Sequence, residues 1–294
     1  YDSFGNSVSQ SGNILAVGAY QSDPDGVSGA GAAYLFDKDL NGTWTQTAKL
    51  MPSDSSPGDL FGSSVSLGLD LAVVGAHYAD DSARAANASF TINDNTTLSD
   101  HNFTLTPAGG APENFQEGVD WNASVTADGS ATTLAAIIDA SANFSASANG
   151  SVITITASTV GANANNSLIA TSHPGTTVAS FSGGMDAATN AGAAYVFAPD
   201  GNGTWGEVAR LTAADRNASD RFGDSVSLDG NRLLVGAHAA EVNGSSNAGA
   251  AYLFEKDGNG SWSQIVKLTA SDAAANDKFG HAVASDGDFA AVGA

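Results

Sequence analysis

FGDSVSLDGNRLLVGAH, residues 222–238, shows how this chain is built, because both of its ends recur. A Phe-Gly pair opens the stretch, and Val-Gly-Ala follows with its Val 13 residues after the Phe. The same two motifs with the same spacing start at Phe4, Phe61 and Phe279. Successive copies lie 57, 161 and 57 residues apart. The chain is therefore a repeat of 57 residues whose second copy carries 104 extra residues.

Each repeat predicts four short strands. In the third copy these run over about 225–228, 232–237, 250–255 and 261–269, with Gly, Asn and Asp concentrated between them. Four antiparallel strands in one repeat are typical of a β-propeller blade. The small residues of Val-Gly-Ala and Gly-Ala-Ala suit places where sheets approach closely. We therefore expect a mainly β fold, a propeller-like array of about 3.25 four-stranded blades.

Net charge and composition exclude several classes of partner and of functional site. Ten Lys and Arg against 31 Asp and Glu give a net charge of −21, which repels nucleic acid and anionic membranes and attracts cations. The chain has no Cys, which excludes disulfides, zinc–thiolate sites and cysteine nucleophiles. No apolar run approaches the ~20 residues of a membrane span, so we expect no membrane insertion in this segment. The sequence starts at Tyr1 without a Met, and we expect a processed or excised piece.

The extra residues predict a separate small α+β domain at 81–186, inserted between the second and third strands of the second blade. Residues 1–80 then hold blade 1 and the first half of blade 2. Residues 187–294 hold the second half of blade 2, blade 3 and the start of blade 4. Expected strands in the insertion are 89–92, 103–106, 144–148, 152–157, 168–171 and 177–181. A helix is expected at 131–140 with Ser130 as its N-cap and Leu134, Ile137 and Ile138 on one face, and Asn149-Gly150 is the expected hairpin turn.

The order Phe-Gly, Val-Gly-Ala, Gly-Ala-Ala-Tyr, Gly-Thr-Trp, Lys-Leu-Thr-Ala-Ser-Asp resembles the FG-GAP repeat, the blade of integrin-α-type β-propellers and of many secreted microbial proteins. The resemblance implies a propeller-like fold, an extracellular setting, and adhesion or scaffolding. Two features depart from the family. The calcium loop Asp-x-Asp-x-Asp-Gly between the first two strands is missing, and three and a quarter blades do not close a ring alone.

The insertion has a resemblance of its own. The run 131–143, the strand 151–156, Gly161 and residues 181–184 look like a small α+β module of phage-tail and microbial surface proteins. That likeness implies assembly or display.

Asn-x-Ser/Thr sequons are dense, at 12 of 22 asparagines where chance gives about four. Asn-Gly is also a good hairpin turn, which accounts for the three sequons repeated before each Trp strand but poorly for the seven in the insertion. We expect N-linked glycans at several exposed sites in a glycosylating host. The candidates are Asn41, Asn87, Asn95, Asn102, Asn122, Asn143, Asn149, Asn165, Asn202, Asn217, Asn243 and Asn259.

Aspartates recur in register. Asp2, Asp59, Asp220 and Asp277 each stand two residues before Phe-Gly, and Asp54, Asp215 and Asp272 precede three of them by five residues. The simpler interpretation is that these carboxylates accept backbone N–H bonds in turns. The alternative is calcium, for which Asp37, Asp39 and Asn41 give the best loop match and Asp23 and Asp25 a shorter one.

Catalytic motifs are weak. His77 and His238 share one repeat position, directly after Val-Gly-Ala, and the simpler interpretation is that they line a surface between blades instead of binding metal. Gly223-Asp224-Ser225 resembles a lipase nucleophile motif, but its register makes it the start of a strand. We therefore expect the chain not to be an enzyme.

These observations favour a non-enzymatic extracellular structural glycoprotein, a repeating subunit of a cell-surface layer, appendage or filament. Its partners would be other copies of itself or other surface proteins, and glycans. The alternative is a calcium-dependent adhesin or ligand-binding propeller module, and a secreted hydrolase is a third class. Calcium and N-linked glycans are the expected cofactors.

Overall fold

The computed structural model describes residues 2–81, 85–93, 101–160, 162–172, 174–182 and 187–294. The chain forms two compact units. One consists of residues 1–81 and 188–294, which carry the repeats, and the other of residues 82–187.

The first blade is a four-stranded antiparallel sheet whose strands pair in chain order. Its strands are β1 (Phe4–Ser11), β2 (Ile14–Ala19), β3 (Ala32–Lys38) and β4 (Trp44–Leu50). A single 3-10 turn, Pro24–Gly26, lies between β2 and β3. The second blade begins with β5 (Ser64–Leu67) and β6 (Ala72–Ala76).

The described residues of the second unit form two sheets and one helix. Its elements are β7 (Ala85–Ile92), β8 (Asn102–Thr106), β9 (Glu113–Gln116), α1 (Ala127–Asp139), β10 (Phe144–Asn149), β11 (Val152–Val160), a 3-10 turn (Ala162–Asn166), β12 (Leu168–Thr171) and β13 (Thr176–Val178). The sheets have the orders β10-β11-β7-β13 and β12-β8-β9. Leu134 and Ile138 of α1 are buried in one core with Phe144 of β10 and Ile153 of β11. This core gives the unit a hydrophobic interior of its own.

The repeats resume after the insertion. The remaining strands are β14 (Ala193–Pro199), β15 (Trp205–Leu211), β16 (Phe222–Asp229), β17 (Arg232–Ala237), β18 (Ala250–Lys256), β19 (Trp262–Leu268), β20 (Ala282–Asp286) and β21 (Phe289–Gly293). β14 and β15 complete the second blade in the order β15-β14-β6-β5, and β16 to β19 form the third. β20 and β21 form a two-stranded hairpin at the start of a fourth repeat. The prediction of a mainly β, propeller-like array of four-stranded blades is confirmed.

Successive blades meet through backbone. The first strands β1, β5, β16 and β20 lie side by side, and Gly31, Gly192 and Gly249 each bridge to the Phe of the next Phe-Gly pair. A Cβ on Gly75 would overlap the carbonyl oxygen of Gly223 in the next blade, and a Cβ on Gly236 would overlap that of Gly280. Glycine is needed there because a neighbouring backbone occupies the space of the side chain. The predicted close approach at Val-Gly-Ala is confirmed.

Phenylalanines of the Phe-Gly pairs fill the interfaces between blades. Phe61 is fully buried and packs edge-on against Tyr195 and Phe197 at ring-centroid distances of 5.5 and 5.9 Å. The same core contains Leu35 and Leu50 of the first blade. Phe4 occupies the same repeat position and is 57% exposed. Its exposed ring marks a blade face that no other described blade covers.

Two local predictions in the second unit are wrong. The N-cap of α1 is Thr126, whose hydroxyl accepts from the Gly129 N–H at 3.1 Å. Ser130 lies inside the helix, where its buried hydroxyl accepts from the Ser124 N–H instead. In the hairpin, Asn149 pairs with Val152, so the turn residues are Gly150, with φ +59°, and Ser151. The cap prediction missed by four residues because Ser130 is also of a type that caps helices, and the turn prediction missed by one because Asn149 still pairs as the last residue of β10.

Among the described residues, no helix is both long enough and apolar enough to span a membrane.

Candidate functional sites

Two repeat positions converge where blades two, three and four meet. The residue after Phe-Gly is Asp224 in the third blade and His281 in the fourth, and the residue after Val-Gly-Ala is His77 in the second and His238 in the third. Asp224 lies in a bulge, because the register between β16 and β17 shifts between Phe222 and Ser225. The contact of each Val-Gly-Ala glycine with the next blade then places both positions side by side.

The Asp224 carboxylate is at the centre of this group. Its Oδ2 lies 2.9 Å from His238 Nδ1 and 3.1 Å from His281 Nδ1. Its Oδ1 lies 3.9 Å from His77 Nδ1, a buried nitrogen without a hydrogen-bond partner. The rings of His238 and His281 meet edge-on at 5.4 Å. The expectation that His77 and His238 line a surface between blades is confirmed, but the sequence reasoning missed their convergence on one carboxylate.

Burial and charge set the protonation of this group. Burial, against the attraction of Asp224 and with smaller effects of Arg221 and His238 in the same direction as burial, lowers the pKa of His77 to about 4. Burial alone would raise the pKa of Asp224, yet His238, His77 and His281 together bring it below its usual value. At neutral pH the site therefore offers a carboxylate next to the neutral imidazole of His77.

Open space borders the group on two sides. A cavity of about 420 Å³ is lined by Tyr20, Ser63, His77, Asp224 and His281 among others. A second cavity of about 300 Å³ is lined by Arg221, His238 and Lys278 among others. The group thus borders space that a small solute can enter, although the Nδ1 atoms of His77 and His238 are themselves buried.

The recurring aspartates have two separate roles. Asp59, Asp220 and Asp277 each accept a backbone N–H from the residue three positions earlier at 2.7 Å, so the predicted turn role is confirmed for them. Asp54 instead accepts from the Tyr195 hydroxyl at 2.8 Å and lies 2.8 Å from Arg210 Nε.

The third blade repeats the arrangement found around Asp54. Asp215 pairs with Lys267 at 2.6 Å, and the ammonium of Lys267 lies over the ring of Tyr252. These are ion pairs that join the fourth strand of a blade to the loop after the preceding blade.

The candidate calcium residues lie in two exposed turns. One carboxylate oxygen of Asp39 accepts from the N–H groups of Asn41 and Thr43 at 2.9 and 2.8 Å. Asp37 is exposed at the end of β3. Asp23 accepts from the Gly29 N–H at 2.6 Å, and the exposed Asp25 has φ +53°. These bonds hold the turns together, and calcium at them stays a prediction.

Ten of the candidate glycosylation asparagines are exposed, and Asn95 lies outside the described residues. Of the stretch that resembles the phage-tail module, Gly161 and residues 183–184 also lie outside them. Asn143 is half-buried, with its amide donating to Glu113. The exposed members are Asn41, Asn87, Asn102, Asn122, Asn149, Asn165, Asn202, Asn217, Asn243 and Asn259.

Comparison with known proteins corrects one expectation. A matched solved structure is the periplasmic gluconolactonase PpgL of Pseudomonas aeruginosa, at 11% identity and a TM-score of 0.21 over 98% of this chain and 88% of that one. An enzyme thus stands among the matched structures, and the prediction that the chain is not an enzyme is withdrawn as wrong. The likeness is too remote to carry any activity to this chain. No similar sequence is found among curated proteins.

A family model does match. The model described as the FG-GAP repeat matches residues 1–36, 44–90, 205–254 and 262–294, more than half of the chain. The matched ranges contain all four Phe-Gly pairs and most of the blade strands, whereas β14 lies outside them. FG-GAP repeats typically occur in extracellular proteins and fit adhesion or ligand binding. The chain belongs to the FG-GAP repeat family.

Proposed function

We propose that this protein is an extracellular structural glycoprotein, a repeating subunit of a cell-surface layer, appendage or filament that assembles through its blades. The observation that carries the proposal is the exposed interface face of the first blade. Phe4 and Val8 are 57% and 63% exposed, whereas Phe61 and Phe222 at the position of Phe4 are fully buried. The face has the chemistry of the internal blade contacts, so a blade of a second copy is the natural partner.

β21 of the hairpin β20–β21 also has an unpaired edge in the described structure. β21 pairs only with β20, while the equivalent strands β2, β6 and β17 each pair on both sides. Unpaired backbone N–H and C=O groups favour the addition of a strand from another chain. A contact between the exposed first-blade face of one copy and the unpaired edge of β21 in another would be heterologous, and such contacts produce rings or filaments.

The insertion and the sequons fit the same role. The second unit contains six of the described sequons, five of them at exposed asparagines, which supports a glycosylated outer surface. We propose that this unit serves display or assembly, in the manner of the phage-tail and surface modules that its sequence resembles.

Sedimentation velocity of the chain over a range of concentrations tests the proposal. The wild type should form larger species as concentration rises, and Phe4→Asp should abolish them by placing a charge on the exposed face. Leu40→Asp is the matched control, because Leu40 is fully exposed in a turn outside the blade faces. A wild type that stays monomeric, or a Leu40→Asp variant that also loses assembly, would overturn the proposal.

Electron microscopy of native material, with calcium and again after chelation, separates the structural role from the adhesin. Filaments or sheets with a regular subunit repeat support the structural subunit. Separate closed discs whose ligand binding is lost on chelation support the calcium-dependent adhesin.

A further inference from the structure

We propose that Asp224, His238 and His281 bind a first-row transition-metal dication, with Zn²⁺ as the ion that this donor set suits best. The site is distinct from the calcium turns and independent of the assembly proposed above. Among the described residues, these three form the group of acidic and imidazole side chains whose donor atoms all lie within 4.8 Å of one another.

The spacing of the donors fits one small ion. Metal–ligand bonds of 2.0–2.2 Å in a tetrahedral site put neighbouring ligand atoms about 3.4 Å apart. The two imidazole nitrogens lie 2.9 and 3.1 Å from the same carboxylate oxygen. His238 Nδ1 is buried and lies this close to the carboxylate without a hydrogen bond of regular geometry. Small rotations of the side chains would let all three atoms face one ion.

The types of donor select the metal. Two imidazoles and one carboxylate suit zinc and its first-row neighbours, whereas calcium takes oxygen ligands. Asp224 and His238 have side chains only 14% and 12% exposed, and His281 is 68% exposed. Two ligands are therefore held by packing, while the third can close over an arriving ion. The cavity of about 420 Å³ provides the access path.

His77 lies next to the three proposed ligands but outside their group. Its buried Nδ1 lies 3.9 Å from the Oδ1 of Asp224, the oxygen that faces away from the two ligand histidines. A small movement would bring it within hydrogen-bond distance of that oxygen, and loss of outer partners that hydrogen-bond a ligand typically costs about 10–100-fold in metal affinity. Its imidazole is also near enough to become a fourth ligand after a small movement.

Isothermal titration of the full chain with Zn²⁺ tests the site. We expect one strong site per chain, and an affinity that falls at least about tenfold in His238→Gln and in His281→Gln. His281→Gln is the decisive variant, because the exposed side chain can be replaced without disturbing the core. His101→Gln, which removes a histidine of the second unit, should bind zinc like the wild type. Far-UV circular dichroism confirms that each variant is folded.

A second readout reports the ligands directly. Co²⁺ bound by imidazole nitrogen should give visible ligand-field absorption that disappears in His281→Gln and persists in His101→Gln. Excess Ca²⁺ should leave zinc affinity unchanged. Equal zinc affinity in the wild type and His281→Gln, displacement of zinc by Ca²⁺, or no zinc binding by the wild type would each overturn the proposal.

Discussion

Glycine at the Val-Gly-Ala position shows how single residues set the spacing of the blades. Gly75 has no room for a side chain, because the Gly223 carbonyl of the next blade lies where its Cβ would be. Gly18 and Gly236 have the same relation to Gly62 and Gly280. The absence of a side chain on the glycine of Val-Gly-Ala in each repeat therefore allows neighbouring sheets to approach this closely.

Gly75→Ala should lower the free energy of unfolding of the repeat unit by about 1–3 kcal/mol or more, because the methyl must push two backbones apart. Gly201→Ala is the matched control, since a Cβ there meets nothing within 4 Å. Denaturant unfolding of both variants measures the difference. Equal free energies of unfolding of the two variants would show that the sheets can move apart without loss of stability.

Asp59 should make stability depend on pH. Burial raises its pKa to about 6, helped by Asp54 and Asp80 and opposed by the Ser56 N–H and Arg210. The folded state then holds this proton more tightly than the unfolded chain, so stability from Asp59 falls as pH rises from about 4 to 6. The side chain of Asp59→Asn does not titrate, so this pH dependence of stability is absent from the variant.

The stability of Asp59→Asn relative to the wild type should therefore increase between pH 4 and 6. Denaturant unfolding at several pH values measures this. Asp2→Asn, an exposed residue at the same repeat position, is the matched control. A stability difference that stays constant over the range would contradict the assignment.

At the level of elements, α1 shows how the second unit is held together. Leu134 and Ile138 lie one turn apart and are buried in the same core, while Thr132 is exposed. The helix therefore owes its stability to one apolar face packed on β10, β11 and β7.

Leu134→Ala should lower the free energy of unfolding of the second unit by about 2–5 kcal/mol through loss of burial and the cavity left behind. Thr132→Ala should change it little. Differential scanning calorimetry follows both variants. A Leu134→Ala protein with an unchanged profile would show that the helix does not contribute to this core.

Elements with strong local patterns were predicted well. β17 and β12 have the predicted bounds, because runs such as Leu-Leu-Val and Leu-Ile-Ala sit between clear turn residues. β9 was missed, since Glu113–Gln116 contains one apolar residue and is fixed by pairing with β8.

The Asp224 group was missed for a different reason. Its members are 14 to 204 residues apart, and only reading the two repeat positions in register across blades would have joined them.

For the whole molecule, the ends of the insertion explain how a blade tolerates it. Asp81 and Ala188 pair as antiparallel neighbours, each N–H donating to the other's carbonyl at 2.9 Å. The chain thus leaves and re-enters the second blade at one point, and the pairing of β6 with β14 is preserved.

Replacing residues 82–187 by Asn-Gly should leave the repeat unit folded, because a two-residue turn closes such a pair. Calorimetry should show the transition of the repeat unit and lose that of the second unit. Retained zinc binding would confirm that the blades are intact. An unfolded product would mean that the blades need the insertion to fold.

The cavity of about 420 Å³ beside Asp224, a groove between the blades, has a consequence for how such proteins diversify. Backbone contacts hold the blades, and the two positions that face the groove differ freely from copy to copy: Asn6, Ser63, Asp224 and His281 at one, Tyr20, His77 and His238 at the other. Each gene duplication that adds a blade also adds two variable places to a shared groove. New chemistry can then be acquired by point mutation of these side chains, while the fold of the blades stays the same.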